Sequence, residues 1–174
     1  HDQIQLYDRS EFNEPFRFVD VMYDIAYVVI DMEARGSKEM GNVFLNTYLE
    51  QTGDWQGLQV LPLYLCRQAY VRAKVTSFLL DDPAVAEETK QDAANTAADY
   101  YRLAWDYTTT NSGQVVIMSG LSGSGKSTVA RQLAQQLGAI HLRSDAVRKH
   151  LAGIPLDHKG TDQLYTPQMS QTTY

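Results

Sequence analysis

"VVIMSGLSGSGKSTVA", residues 115–130, sets several kinds of local chemistry side by side. A β-type apolar run leads into a knot of small residues, Gly120, Gly123 and Gly125 around Ser122 and Ser124. Lys126 then stands where a helical pattern begins. The stretch fits G-x-x-x-x-G-K-[ST] from Gly120 to Ser127, the spacing of a phosphate-binding loop. Glycine admits backbone conformations closed to other residues and lets the chain touch a ligand with no Cβ in the way. Successive amides then turn inward as a nest for an anion, reinforced by the N-terminal end of the helix that follows. Lys126 is expected to reach the β- and γ-phosphates, and Ser127 to offer its hydroxyl to Mg²⁺. The expected ATP-binding set is therefore Gly120, Leu121, Ser122, Gly123, Ser124, Gly125, Lys126, Ser127 and Thr128, with Ser127 the metal ligand. A flexible glycine linker would leave Lys126 and the flanking apolar run unexplained.

The flanks of this loop suggest an α/β fold. "QVVIMS" (114–119) reads as a fully buried strand, 124–137 as a helix, "AIHLRS" (139–144) as a second strand and 145–151 as a second helix. Strand, helix, strand, helix is the opening of a parallel sheet. In open sheets of that kind ligands gather outside the carboxyl ends of strands, which would aim Asp145 into the crevice of the phosphate loop. A carboxylate there can take the proton of an attacking hydroxyl. Arg143, Arg148 and Lys149 can hold an anionic acceptor or steady the charge on the γ-phosphate. The expected catalytic residues are Lys126, Asp145 and Arg148. Asp145 has a plainer use as a helix cap, compatible with the first. His141 and His150 are expected to pack or to face solvent.

The preceding residues read differently. "IQLYD" (4–8) alternates weakly, as a short strand does. From Phe18 the pattern turns helical, with Val21, Met22, Ile25, Val28, Val29 and Met32 on one face and Gly36 as the stop. Ser37 is placed to cap a second helix ending near Gly53. A third runs over about 61–80 with Pro62 in its first turn, and Asp82 is placed to cap a fourth reaching about Tyr107. Tyr64, Tyr70, Tyr100, Tyr101 and Trp105 are expected to pack between helices, and Cys66 to be a buried small hydrophobe. "TTTNSG" (108–113) breaks all periodicity. The expected organisation is a mainly helical part over 1–107, a linker over 108–113 and the phosphate-loop part over 114–174.

Composition narrows the function. The chain has 174 residues, 44% hydrophobic and 21% charged, a globular mixture. Its net charge of −6 and pI of about 5.1 disfavour binding to a phosphate backbone, so no nucleic-acid partner is expected. One cysteine excludes an internal disulfide. "IAYVVI" (25–30) is too short to cross a bilayer, and "HDQIQLYDRSEFNEPF" has neither a basic nor an apolar leader region. No membrane partner and a cytoplasmic location are the expectations.

"GLSGSGKSTVARQLAQQLGA" followed by "RSDAVRKHLAG" resembles the small-molecule P-loop kinases, the group of adenylylsulfate, gluconate, zeta-toxin and polynucleotide kinases. The resemblance covers about 114–153. It implies ATP and Mg²⁺ as cofactors, a small hydroxylated acceptor, an aspartate matching Asp145 that handles the acceptor hydroxyl, and an arginine like Arg148 on acceptor or phosphate. "LYDRSEFNEPFRFVDVMYDIAYVVIDMEARG" (6–36) resembles the rear part of the aminoglycoside phosphotransferase-like kinases. That likeness implies a Mg²⁺-binding role for Asp8 and a supporting one for Asp24-Ile25-Ala26. The order of the two resembles bifunctional aminoglycoside phosphotransferase/ATP-binding proteins of bacteria. The His-Gly-Asp loop of the first family has no counterpart in the chain, and no apolar strand ending in Asp follows Thr128. The chain is therefore expected to be a piece spanning the join of two kinase-like domains. The leading reading is γ-phosphoryl transfer from ATP to a small acceptor. A hydrolase or switch with the helical part responding, or as a scaffold, is the alternative.

Overall fold

The first helix begins where an aspartate can cap it. In the computed structural model, which describes residues 18–109, 113–121, 123–160 and 162–174, the Asp20 carboxylate accepts from the Met22 amide at 2.9 Å and opens α1, Val21–Ala34. Met22, Ile25, Ala26 and Ile30 fall at the spacing that keeps one helical face inward, and all four are buried. Gly36, at φ +74°, ends the helix in the left-handed region that glycine tolerates best. Helix α2, Lys38–Thr52, closes on Gly53 in the same way, its amide donating to Leu49 O at 2.9 Å.

After a 3₁₀ turn at Gln56–Gln59 comes α3, Leu61–Ser77, with Pro62 in its first turn, where its missing N–H costs nothing. A second 3₁₀ turn, Phe78–Leu80, leads to α4, Glu87–Asp106. Asp82 does not cap α4: its carboxylate accepts from the Ala84 amide in the preceding turn, and the helix starts after Ala86. Ala69 and Ala73 on α3 and Ala93, Ala97 and Ala104 on α4 are buried, and their small side chains let the two helices pack along most of their length. The core joins Met22, Ile25, Ala26 and Ile30 to Leu45, Leu49, Leu61 and Leu65, with Phe44, Tyr64, Tyr100 and Ile140 packed on it. Gln68 is buried at the rim and gives its amide to Tyr23 O at 3.2 Å. Trp105 is 70% exposed, contrary to the packing role expected of it, and Tyr70 and Tyr101 pack edge to face on the surface. Cys66 is half-buried rather than fully so.

The second half is α5, Lys126–Leu137, then α6, Ser144–Leu151, a 3₁₀ turn at Asp162–Tyr165 and α7, Pro167–Thr173. The expected parallel α/β sheet is not formed: among the described residues there is no strand. Residues 114–119 take no regular secondary structure and lie exposed. Val115 is 87% and Ile117 84% exposed, where a buried strand was expected. A parallel strand needs a neighbouring strand to take its amides and carbonyls and a layer to cover its faces. The second candidate, 139–143, finds its backbone partners on α2 instead. The expected strand at 4–8 and Asp8 lie outside the described residues.

Truncating the fully buried Leu49 to alanine removes a side chain from the centre of the α1–α2–α3 contact. L49A is expected to lower unfolding free energy by about 2–5 kcal/mol in urea titration followed by circular dichroism.

Candidate functional site

The phosphate loop has the backbone its glycines allow. Gly120, Gly123 and Gly125 take φ of +146°, +79° and +83°, and Gly125 is the residue from which α5 starts. A Cβ on Gly120 would meet Ser124 Oγ at 3.1 Å, so that position is closed to larger residues on two grounds. The loop's lysine is turned inward: Lys126 Nζ donates to Gly120 O at 2.8 Å and Leu121 O at 2.5 Å. The charge thus sits inside the ring of main-chain groups, where an anion would meet it together with the first amides of α5. Ser127 stands one residue further, in the first turn, and Thr128 N bonds back to Gly125 O at 3.0 Å. Ser122 lies outside the described residues. No group of three or more His, Cys, Asp or Glu that could hold a metal occurs among the described residues.

Asp145 heads the second cluster. It is not the cap of α6, since Arg143 occupies that position and Asp145 lies in the first turn, where a carboxylate meets the positive end of the helix. Its Oδ2 faces Lys149 Nζ at 3.4 Å and Arg143 Nη2 at 3.9 Å; its Oδ1 accepts from the Tyr165 hydroxyl at 3.2 Å. The structure sorts the three cations. Arg143 is paired with Glu50 of α2, and Lys149 is buried and also donates to Leu156 O at 2.9 Å. Arg148 instead lies between the rings of Tyr165 and Tyr174, at 5.6 and 5.5 Å, and its Nε is shut from solvent with no hydrogen-bond partner among the described residues. No hydrogen bond or ion pair joins Lys126 to Asp145 or Arg148 among the described residues. The two clusters are linked through α5, segment 139–143 and α2.

That link is the part the sequence did not disclose. The Asn46 side chain donates to Ala139 O at 3.0 Å and accepts from His141 N at 2.7 Å, bridging the flanks of Ile140 as a neighbouring strand would. Asn42 adds a second donor to Ala139 O at 3.0 Å. His150 Nε2 lies 2.8 Å from Glu50 O; facing a carbonyl, it must be the donor, and it satisfies one of the orphan carbonyls at the end of α2. A Cβ on Gly53 would come within 2.9 Å of the same imidazole ring. Two asparagines four apart on a core-facing helix are the signal that sequence inspection had available. A cleft of about 320 Å³ between α2 and α5 contains none of the residues nominated from sequence.

Residues 115–174 match the AAA domain family. The match supports a P-loop, nucleotide-binding character of kinase or ATPase type for that part of the chain. Over 146 residues, or 84% of the chain, it is 31% identical to an uncharacterized protein of Mycobacterium bovis and to two of Mycobacterium tuberculosis. The match spans 28% of the length of these relatives. No solved structure matches the chain. No described helix is long and apolar enough to cross a membrane.

Burial holds the His141 imidazole below its ordinary range; Glu50 opposes this, while Arg131 and Arg143 add to it. The unfolded chain therefore takes up this proton first, and the native state loses stability as pH falls below the ordinary imidazole value of about 6.5. Between about pH 7.5 and about pH 5.5 the melting temperature is expected to fall further for the wild type than for H141Q, as measured by differential scanning calorimetry.

Proposed function

We propose that the chain belongs to an ATP-dependent kinase that moves the γ-phosphoryl group to a small hydroxylated acceptor. The observation that carries this reading is the pairing of two separate devices. One is a glycine-shaped loop at the head of α5 with its lysine inside; the other is a carboxylate with an arginine on α6 that contacts tyrosines rather than a carboxylate among the described residues. In phosphoryl transfer the protein has little covalent chemistry to perform, so positioning and charge stabilisation carry the rate. The amides of the loop and of the first turn of α5 would receive the phosphate tail, and Lys126 would leave Gly120 O and Leu121 O for phosphate oxygens. Mg²⁺, with Ser127 as its protein ligand, supplies charge neutralisation on the phosphates. Asp145 would accept the acceptor's proton on Oδ1, since Oδ2 faces Lys149 and Arg143. Arg148, which meets no carboxylate among the described residues, would meet an anionic acceptor or the transferring group. The assignment of 1–107, 108–113 and 114–174 as helical part, linker and phosphate-loop part goes with this reading. The aminoglycoside-kinase likeness of the helical part is supported by the sequence resemblance alone.

One observation favours the alternative of an ATP-driven switch: α2 holds the segment between α5 and α6 by side-chain bonds that a shift of α5 would disturb. Dependence of ADP release on an added acceptor separates the two, as the switch releases phosphate without one.

Titration calorimetry on the full chain is expected to show Mg·ATP uptake that weakens about 10- to 100-fold in K126A, the worth of charge-assisted phosphate contacts. Equal affinity in the two proteins would remove the basis of the reading.

A further inference from the structure

The chain after the 3₁₀ turn at Asp162–Tyr165 folds back so that α7 packs on α6. Leu164 is 1% exposed and fixes the 3₁₀ turn in place. The next residue, Tyr165, reaches Asp145 Oδ1 with its hydroxyl at 3.2 Å and covers the Arg148 guanidinium with its ring. Tyr174 lies against the same guanidinium, and a hydrogen bond with Ser144 holds its phenol below the ordinary range. Oδ1 is the carboxylate oxygen not facing a cation, and thus the one open to an incoming hydroxyl. A general base must meet that hydroxyl at about 2.6–3.2 Å. The Tyr165 phenol already occupies this position, with the correct donor, over the arginine that an acceptor would use.

We propose that Tyr165 is an internal stand-in for the acceptor: its hydroxyl occupies Asp145 Oδ1 and its ring covers Arg148, so an acceptor binds in competition with the 162–166 turn. The proposal rests on the kinase reading given above. It narrows the acceptor to a molecule presenting a hydroxyl to Asp145 together with an anionic group or flat face for Arg148. Tyr165 is 57% exposed, so water can compete for Oδ1 with its hydroxyl, but it lacks the contact to Arg148 that such an acceptor adds. Closure of this kind keeps the γ-phosphoryl group from hydrolysis until an acceptor arrives.

The test uses the full chain with Mg·ATP and no acceptor, water being the only nucleophile. Y165F, lacking the hydroxyl, is expected to raise phosphate release about three- to tenfold, the worth of one hydrogen bond. Y165A, lacking the ring as well, is expected to raise it further. Adding D145N to either should erase the gain, because the base is then gone. Unchanged or lower release in both variants, with Mg·ATP binding intact by calorimetry, overturns the proposal, as does an absence of turnover in every variant with nucleotide bound. A second measurement needs no nucleotide. Hydrogen exchange at the 164–166 amides is expected to quicken in D145A and R148A, since these remove what Tyr165 docks on. Unaltered protection there overturns the proposal whatever the kinetics show, whereas loss of Mg·ATP binding in the wild type with quickened exchange in the variants counts against the kinase reading and leaves the docked turn supported.

Discussion

The side-chain amide of Asn46, holding Ala139 O and His141 N at once, is the interaction on which the arrangement of the two halves depends. A backbone segment that is drawn against a protein core must pair its amides and carbonyls, because an orphaned group out of water costs about 1–3 kcal/mol. Ile140 packs on the α1–α2–α3 core, so its flanking peptide groups leave water with it. Asn46 and Asn42 meet that demand from α2. Once the segment is seated, the helix before it and the helix after it have little freedom. α5 packs on α2, Arg143 reaches Glu50, and His150 closes the end of α2 over Gly53. The phosphate loop and Asp145 are thereby referred to a common support.

The same seating explains how charge is distributed. Glu50 takes Arg143, and the Asp145 Oδ2 atom and Leu156 O take Lys149. Arg148 lies between two tyrosine rings, and its buried Nε has no hydrogen-bond partner among the described residues. Lys126 is likewise held by neutral carbonyls rather than a carboxylate, so an anion can draw it away without breaking an ion pair. Neither group is held by a carboxylate among the described residues.

Legibility differed sharply from one stretch to the next. Asp20 as a cap, Gly36 and Gly53 as stops and Pro62 in a first turn follow from rules that act within a few residues, and the chain obeys them. Asp82 and Asp145 show the limit of such rules: each has a capping residue's chemistry, but one serves a turn and the other sits inside its helix, with neighbours deciding between nearly equal local options. The apolar run 115–118 is the clearest failure. Its composition is that of a buried strand, and it lies exposed because burial and pairing require partners that the described residues do not supply. Tyr165 was hidden for another reason: a tyrosine in a polar tail carries no pattern, and only folding shows which carboxylate it meets.

The sequence by itself determined where α1 and α2 stop and that a glycine-built loop with the spacing of a phosphate-binding loop precedes α5, because φ preferences and periodicity are local. The tertiary structure alone decided that α2 takes the place of a strand beside Ile140, that Glu50 claims Arg143, and that Tyr165 lies on Asp145. The first two join residues 93 to 97 apart in the chain. At such separations no local preference selects a partner; the choice belongs to whichever polar group the packed core brings within reach.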